Sequence, residues 1–330
     1  MAVTGSHGFI GSALVPALVR AGHRPIRLVR GRPAGDDEFG WDPDAGVIDA
    51  AGLEGVGGVI HLAGAGIGDK RWTEERKRLI VESRTKGTGL LARTLAGLGR
   101  PPSVLVSASA IGYYGDRGDE PLDEQSAPGN DFVAGVCVQW EAATAPAADA
   151  GIRVARVRSG IVLGREGGVL SRLLLPFRLG LGGRVASGRQ YMSWISIDDE
   201  VGAILHALVE DRVSGPVNLT GPSPVRNAEF AKTLGRVLHR PAVIPTPLLP
   251  LRLRYGSELI QHLLVEGERV LPSRLDETGY RFEHPTLEAS GRSCRWGWIS
   301  TGASRGTPCS WRTWARSPKR SATASWLARR

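Results

Sequence analysis

Three glycines near the amino terminus have the spacing of a phosphate-binding turn. Gly5, Gly8 and Gly11 follow the short apolar segment Ala2–Thr4 and precede a segment with helical periodicity. In such a turn the first glycine permits the tight bend, the second lets backbone N–H groups approach a pyrophosphate, and the third lets the helix pack on the strand. The helix N-terminus adds positive potential. The pattern therefore predicts a dinucleotide-binding loop.

The end of the second predicted strand distinguishes NAD from NADP. An NAD site needs a carboxylate there to accept hydrogen bonds from the ribose 2′-hydroxyl. Here the strand ends in Val29 and Arg30, and the first acidic residue is Asp36. Arg30 lies 19 residues after Gly11, where its guanidinium can bind a 2′-phosphate through two hydrogen bonds. We therefore expect NADP(H); the alternative is that Arg30 only faces solvent.

Hydroxyl side chains gather at the end of the buried-type strand Ser103–Ser107. Ser107 and Ser109 lie at its carboxyl end, where open α/β sheets bind their ligands. Tyr113 and Tyr114 follow within one turn, and a phenol placed there can donate a proton. We predict Ser109, Tyr113 and Tyr114 as catalytic candidates. The alternative is that the two tyrosines pack against a substrate domain.

These candidate residues follow segments with strand character, which alternate with helical segments at intervals of about 25–40 residues. The strand-like segments are Ala2–Thr4, Pro25–Val29, Gly57–Leu62, Ser103–Ser107, Arg153–Val157 and Val217–Thr220. Such alternation is typical of parallel βαβ units whose sheet is covered on both faces. We predict a Rossmann-like, doubly wound α/β domain over residues 1–165, completed by the strand near 217–220. A smaller, partly interleaved substrate region follows over residues 166–289.

Two details of the predicted helices depend on single residues. The long helical segment Thr73–Leu98 contains Gly87 and Gly89, which predict an interruption because glycine disfavours a helix interior. The amphipathic segment Asn227–Leu238 begins with an asparagine, a residue type that commonly caps a helix N-terminus. We therefore predict Asn227 as the N-cap.

Composition excludes several classes of protein. The chain has 330 residues, of which 42% are hydrophobic, but no uninterrupted apolar stretch reaches the roughly 18 residues of a membrane span. Residues 1–20 lack the order of regions found in a signal peptide. The three cysteines, Cys137, Cys294 and Cys309, form no CxxC pair. We therefore expect no metal site, no membrane partner and a reducing, cytoplasmic compartment.

The net positive charge of the chain comes entirely from its last segment. Residues 291–330 contain nine Lys and Arg and no acidic residue, which accounts for the whole excess of Lys and Arg (42) over Asp and Glu (33). The preceding residues are neutral, so we expect no nucleic-acid partner. Residues 290–330 form an aberrant basic tail without apolar periodicity; our favoured hypothesis is a shifted reading frame. A disordered tail and a basic arm for RNA or anionic lipid remain alternatives.

The chain resembles the extended short-chain dehydrogenase/reductase (SDR) superfamily in the strings GSHGFIG, HLAGAGI, SASAIGYYG, VRSGIVLG and SWISIDDEVGAIL. It resembles more narrowly the atypical, YfcH-like (SDR39U-type) epimerase subgroup in GAGIGDKRWTEERKRLIVESR, NLTGPSPVRNAEFAKTLG and GERVLPSRLDETGYRFEHPTLEA. The last string resembles a C-terminal domain of unknown function, DUF1731. The resemblance covers residues 1–289. It implies an NADP(H)-binding epimerase or oxidoreductase with a small-molecule substrate such as a sugar nucleotide.

The resemblance also implies which residues contact the cofactor. The glycine loop would hold the pyrophosphate, Val29 and Arg30 would flank the 2′-phosphate, and the segment after Ser159 would lie near the nicotinamide. The complete predicted set is Gly5, Gly8, Phe9, Ile10, Gly11, Val29, Arg30, Leu62, Ala63, Gly64, Arg84, Ser107, Ser159, Gly160 and Ile161.

One departure from the superfamily bears directly on function. Standard members carry Tyr-x-x-x-Lys about 20–30 residues after the serine-bearing strand, and the lysine lowers the pKa of the tyrosine that exchanges a proton. Residues 132–141, FVAGVCVQWE, contain neither a tyrosine nor a lysine. Two hypotheses follow. Either the chain is an epimerase or oxidoreductase with a non-standard acid, or it is a catalytically weak NADPH-binding sensor or regulatory protein.

Overall fold

A computed structural model describes residues 1–293 of the chain. Its strands are β1 (Ala2–Thr4), β2 (Ile26–Val29), β3 (Glu38–Asp42), β4 (Val47–Ile48), β5 (Val59–His61), β6 (Val104–Ala110), β7 (Pro121–Leu122), β8 (Arg153–Ser159), β9 (Ile161–Gly164), β10 (Tyr191–Met192), β11 (Trp194–Ser196), β12 (Gly215–Leu219), β13 (Val225–Arg226) and β14 (Arg269–Val270).

The helices connect these strands and cover the sheet. They are α1 (Phe9–Arg20), α2 (Glu74–Ala96), α3 (Phe132–Ala142), α4 (Ala145–Asp149), α5 (Gly168–Arg178), α6 (Ile197–Val209), α7 (Asn227–Leu238), α8 (Leu248–Tyr255), α9 (Ser257–Ile260), α10 (Ser273–Glu277) and α11 (Leu287–Ser293). Short 3₁₀ turns occur at Ala51–Leu53 and Ile111–Tyr113, and one π-helical turn at Gln261–Val265.

The main sheet has eight strands in the order β12–β8–β6–β5–β1–β2–β3–β4. All neighbours are parallel except β3 and β4, which are antiparallel at one edge. The central strands are apolar because helices cover both faces, as in the fully buried strand β1. Strand β12 returns to the sheet beside β8. The predicted Rossmann-like, doubly wound α/β fold is confirmed.

Three two-stranded sheets lie outside the main sheet. β9 pairs with β11, β10 with β13, and β7 with β14. The smaller region has its own core, in which Trp194 and Phe230 are buried with Leu174 and Leu234. Because β7 precedes β8 in the chain while β14 lies beyond α9, the two regions are interleaved rather than consecutive.

Two predictions about helices are wrong. Helix α2 runs through Gly87 and Gly89 without a break, because Trp41 packs so closely on Gly87 that a Cβ there would lie 3.3 Å from its ring. Asn227 is the first residue of α7, and Arg226 occupies the N-cap. The side-chain oxygen of Asn227 instead accepts a hydrogen bond from the Val185 N–H at 2.7 Å.

None of the helices in residues 1–293 combines the length and the apolar character that a bilayer crossing requires. The same residues contain no group of three or more His, Cys, Asp or Glu side chains arranged to hold a metal ion. The predicted tail, 290–330, begins inside α11 and otherwise lies outside the described residues.

Candidate active site

The glycine loop forms a cradle between β1 and α1. Gly5 has a φ of +68°, and the Gly8 N–H donates to its carbonyl at 3.0 Å. Gly8 is the N-cap of α1, and no side chain caps that helix, so its first N–H groups are available to a ligand. A Cβ at Gly11 would overlap the carbonyl oxygen of Gly5. Gly5 and Gly11 therefore occupy positions that require glycine.

Phe9 and Ile10 begin α1 directly behind the cradle. The Phe9 ring lies against the end of β9, where a Cβ at Gly164 would be 2.7 Å from the ring. This contact joins the glycine loop to the segment after Ser159, so the two predicted ends of the cofactor site belong to one packed unit. Gly160 packs against a different segment, since a Cβ there would overlap the Ser193 carbonyl oxygen.

The end of β5 lies beside the cradle because β1 and β5 are paired, with Thr4 opposite His61. The Thr4 hydroxyl accepts hydrogen bonds from the N–H groups of Leu62 at 3.2 Å and Ala63 at 3.3 Å. His61, which the sequence analysis did not select, bonds Thr4 at 2.7 Å and Thr88 at 2.9 Å. Burial lowers the pKa of His61 to about 4. The ring is therefore neutral and fixes the loop that carries Leu62, Ala63 and Gly64.

Arg84 lies beneath that loop. Its guanidinium donates to the carbonyl of Ala65 at 3.0 Å and lies 4.9 Å from the Trp140 ring. A Cβ at Gly64 would be 3.5 Å from the Arg84 side chain. Burial lowers the pKa of Arg84, yet an arginine stays charged at neutral pH. The site thus holds a cation below the predicted cofactor loop.

Arg30 is exposed immediately after β2. The register of β1 and β2 pairs Thr4 with Leu28, so Val29 and Arg30 reach the same sheet edge as the glycine cradle. The structure therefore brings together the residues predicted to bind the pyrophosphate and the 2′-phosphate.

The predicted catalytic hydroxyls meet in a buried polar network around Arg158. Glu141 accepts hydrogen bonds from the Arg158 Nε at 2.7 Å and from the Ser109 hydroxyl at 2.8 Å. The Tyr114 hydroxyl accepts from Arg158 Nη1 at 2.9 Å and donates to the Asn218 side-chain oxygen at 2.7 Å. Tyr114 is fully buried, and burial raises its pKa to about 12. Ser109 and Tyr114 are thus engaged within the protein.

Tyr113 differs from its neighbour. It is half-buried, and the Arg158 guanidinium lies 3.4 Å from its ring centroid. Stacking on a guanidinium that Glu141 holds by two hydrogen bonds restrains the Tyr113 ring without engaging its hydroxyl. On the adjacent helix α3, burial raises the pKa of the Cys137 thiol to about 12, which keeps the thiol protonated at neutral pH.

The serines at the ends of β6 and β8 occupy different environments. Ser107 is buried, and its hydroxyl has no hydrogen-bond partner within residues 1–293. The Ser159 hydroxyl donates to Glu200, a residue missed by the sequence analysis, at 2.6 Å. Ile161 is held by its N–H bond to the Ser193 carbonyl at 2.9 Å. These residues share the carboxyl edge of the sheet with the cradle.

The segment after α8 closes one side of this edge. His262 stacks on the Trp72 ring at 5.9 Å and bonds the Glu266 carboxylate at 2.6 Å. Trp72 also packs edge-on against Phe132 at the start of α3. Trp72 is 8% exposed because its side chain packs between Phe132 and His262.

Comparison with known proteins shows the family of the chain. The model of the NAD dependent epimerase/dehydratase family matches residues 1–219. The chain belongs to this family. A second model, the domain of unknown function DUF1731, matches residues 246–290. The resemblance to epimerase family proteins that carry DUF1731 is therefore confirmed.

Individual members of the epimerase family are similar over nearly their whole length. The epimerase family protein Mb2239 of Mycobacterium bovis is 44% identical over 292 residues, which are 88% of this chain and 96% of the relative. The crystal structure of the human epimerase family protein SDR39U1 (isoform 2) with NADPH has a TM-score of 0.80 and 36% identity, and the match covers 89% of this chain and 98% of that one.

A second solved epimerase structure is of a longer chain than this one. The nucleoside-diphosphate sugar epimerase from Corynebacterium glutamicum has a TM-score of 0.74 and 35% identity. The match covers 90% of this chain and 57% of that one. The common part is therefore the α/β fold with its smaller region.

Proposed function

We propose that this epimerase family member is an NADP(H)-dependent epimerase or oxidoreductase of the atypical SDR type, with a small polar substrate such as a sugar nucleotide. The glycine cradle carries the proposal, since Gly5 adopts a φ of +68°, a Cβ at Gly11 would overlap the loop backbone, and no side chain caps α1. Such a cradle suits a pyrophosphate. The human relative crystallised with NADPH supports the cofactor, and the C. glutamicum nucleoside-diphosphate sugar epimerase supports the substrate class.

Each end of the cofactor has a proposed set of partners in the chain. The backbone of Gly5 to Gly11 would hold the pyrophosphate, Arg30 the 2′-phosphate, and Ser159 with Gly160 the nicotinamide end. When bound, NADP(H) supplies hydride transfer. The protein's part is to hold the reactants in place and to exclude water.

Tyr113 is our proposed proton-exchanging group. The Ser109 and Tyr114 hydroxyls donate to Glu141 and Asn218, whereas Tyr113 is stacked on Arg158 at the open edge of the network. We propose that Ser109 and Tyr114 position Arg158 and thereby Tyr113. The Arg158 guanidinium lies over the Tyr113 ring at 3.4 Å from its centroid, and this cation–π contact holds the phenol in one orientation.

Arg30→Ala tests the cofactor assignment. A charge-assisted bidentate contact contributes about 1.5–3 kcal/mol, so the Kd for NADPH should rise roughly 10- to 100-fold, while the Kd for NADH changes little. Isothermal titration calorimetry measures both. Arg24→Ala, an exposed arginine at the opposite end of β2, is the matched control. Equal losses for the two nucleotides would contradict a 2′-phosphate contact.

A catalytically weak NADPH-binding sensor is the second candidate. Helix α3 carries no tyrosine and no lysine, and two of the three candidate hydroxyls are engaged inside the protein. The discriminating experiment incubates the protein and NADP⁺ with a panel of nucleoside-diphosphate sugars and resolves the products by NMR. Epimer formation supports the enzyme. Tight NADPH binding without turnover on any member of the panel supports the sensor.

A further inference from the structure

Glu200 is a buried acid with one unused oxygen. It lies in the first turns of α6 and has no exposed surface. One carboxyl oxygen accepts a hydrogen bond from the Ser159 hydroxyl at 2.6 Å. The other, Oε2, is buried and has no partner within residues 1–293. Buried polar atoms are nearly always satisfied, so this oxygen calls for an explanation outside the ordinary packing of the fold.

The surroundings of Glu200 provide no counter-charge. Strands β6, β9 and β11, which pack against α6, carry no titratable side chain. Helix α1 carries only Arg20, at its last position. On β8, Arg153 lies on the same side as Ser159, but its guanidinium donates to the Ala207 and Leu208 carbonyls at the opposite end of α6 and pairs with Asp211. Arg156 and Arg158 face the other side of the sheet, where Arg158 pairs with Glu141.

The acidic and phenolic groups near Glu200 are engaged with one another. Asp199 accepts hydrogen bonds from Ser196, from the N–H groups of 283 and 284, and from the Tyr280 hydroxyl. Asp198 bonds the His284 ring at 3.2 Å. None of these groups neutralises a charge on Glu200. Burial accordingly raises the pKa of Glu200 to about 8, which leaves the carboxyl neutral at pH 7.

Ser159 connects this acid to the cofactor site. It is the last residue of β8, opposite Ala110 and Leu219, at the edge where parallel sheets bind their ligands. Our proposed function places the nicotinamide there. The oxidised nicotinamide ring is a cation and the reduced ring is neutral. A neutral carboxyl next to this position favours the reduced ring, whereas a carboxylate favours the oxidised one.

We propose that Glu200, acting through Ser159, is a positioning residue that sets the preference of the site for NADPH over NADP⁺. This inference rests on the proposed placement of the nicotinamide beside Ser159. The proposal predicts that the charge on Glu200 changes the relative affinity of the site for NADP⁺ and NADPH. These two nucleotides carry the same phosphates, so any change at the glycine cradle or at Arg30 affects both dissociation constants equally and leaves their ratio unchanged.

The test compares the ratio Kd(NADP⁺)/Kd(NADPH) at pH 7.0 and pH 9.0 by calorimetry on the full chain. In the unmodified protein ionisation of Glu200 should lower this ratio about tenfold or more, since one charge acting on another across several ångströms inside a protein has at least this effect. Glu200→Gln keeps the shape and stays neutral, so its ratio should remain at the pH 7.0 value at both pH values. Glu229→Gln, an exposed glutamate on α7, should behave as the unmodified protein.

A second variant keeps the test decisive if Glu200→Gln does not fold. Ser159→Ala removes the connecting hydroxyl but leaves the acid, and it should flatten the pH dependence. An unchanged ratio in the unmodified protein between the two pH values, or a Glu200→Gln ratio that falls in parallel with it, would overturn the inference while NADPH binding stands. Failure of both nucleotides to bind at either pH would overturn the proposed cofactor and this inference with it.

Discussion

The glycine cradle and the polar network around Arg158 are built in opposite ways. The cradle uses backbone atoms of one short segment, Gly5 to Gly11, at the junction of β1 and α1. The network uses side chains from β6, the turn after it, α3, β8 and β12, and its Tyr114–Asn218 hydrogen bond joins residues 104 positions apart in the chain. The cradle can therefore be altered locally, whereas the network contributes to the stability of the whole sheet. We therefore expect substitutions in the cradle to weaken NADPH binding and substitutions in the network to lower the free energy of unfolding.

Removing Glu141 should give the largest effect. The Glu141–Arg158 pair is buried, with side-chain exposures of 6% and 3%. Loss of one partner leaves a buried charge without compensation, which costs about 3–5 kcal/mol. Glu141→Ala should therefore lower the free energy of unfolding by that amount in urea denaturation followed by circular dichroism.

Two further variants test whether burial is the reason. Glu82→Ala breaks an exposed pair with Lys86 and should change the free energy of unfolding far less than Glu141→Ala does, because solvent screens the exposed charges. Arg158→Met combined with Glu141→Met removes both charges and should recover much of the loss. A cost for Glu141→Ala as small as that for Glu82→Ala would show that the network does not stabilise the sheet.

Gly11→Ala should act on binding instead. The new Cβ would overlap the Gly5 carbonyl oxygen, so the cradle must shift away from the position that suits a pyrophosphate. We expect the Kd for NADPH to rise about 100-fold, equivalent to roughly 2.7 kcal/mol, in calorimetry. Gly135→Ala is the control because a Cβ at Gly135, on α3, meets nothing within 4 Å. Unchanged NADPH affinity in Gly11→Ala would remove the cradle as the basis of the proposed function.

The same contrast explains what the sequence could predict. The cradle depends on residues close together in the chain, so the spacing of Gly5, Gly8 and Gly11 was enough to predict a tight turn between β1 and α1. The alternation of strands and helices likewise predicted the sheet. The network is different: Ser109 and Tyr114 were selected by their place after β6, but their partners Glu141 and Arg158 come from other elements. No local pattern fixes such pairings.

Some missed residues did leave a signal. His61 is a polar residue in the buried strand β5. Glu200 is an acidic residue in helix α6, and the residues that follow it are mostly apolar and buried. A polar side chain in such a setting needs a partner, though the sequence does not reveal which. At Gly87 the sequence predicted an interruption that α2 does not have. The low helix propensity of glycine is outweighed there by the close packing of Trp41.

Removing the N-cap of α3 should give the smallest change in the free energy of unfolding. Asp131 accepts a hydrogen bond from the Ala134 N–H at 2.9 Å, and the helix it begins carries Glu141. Asp131→Ala should lower the free energy of unfolding by about 1 kcal/mol, whereas Asp131→Asn, an equally good cap, should cost only a few tenths. Because the cradle is remote from this cap in the chain, NADPH affinity should stay unchanged in both variants. A loss of affinity in Asp131→Ala would mean that α3 helps to shape the cofactor site, and the division between local binding and distributed stability would not hold.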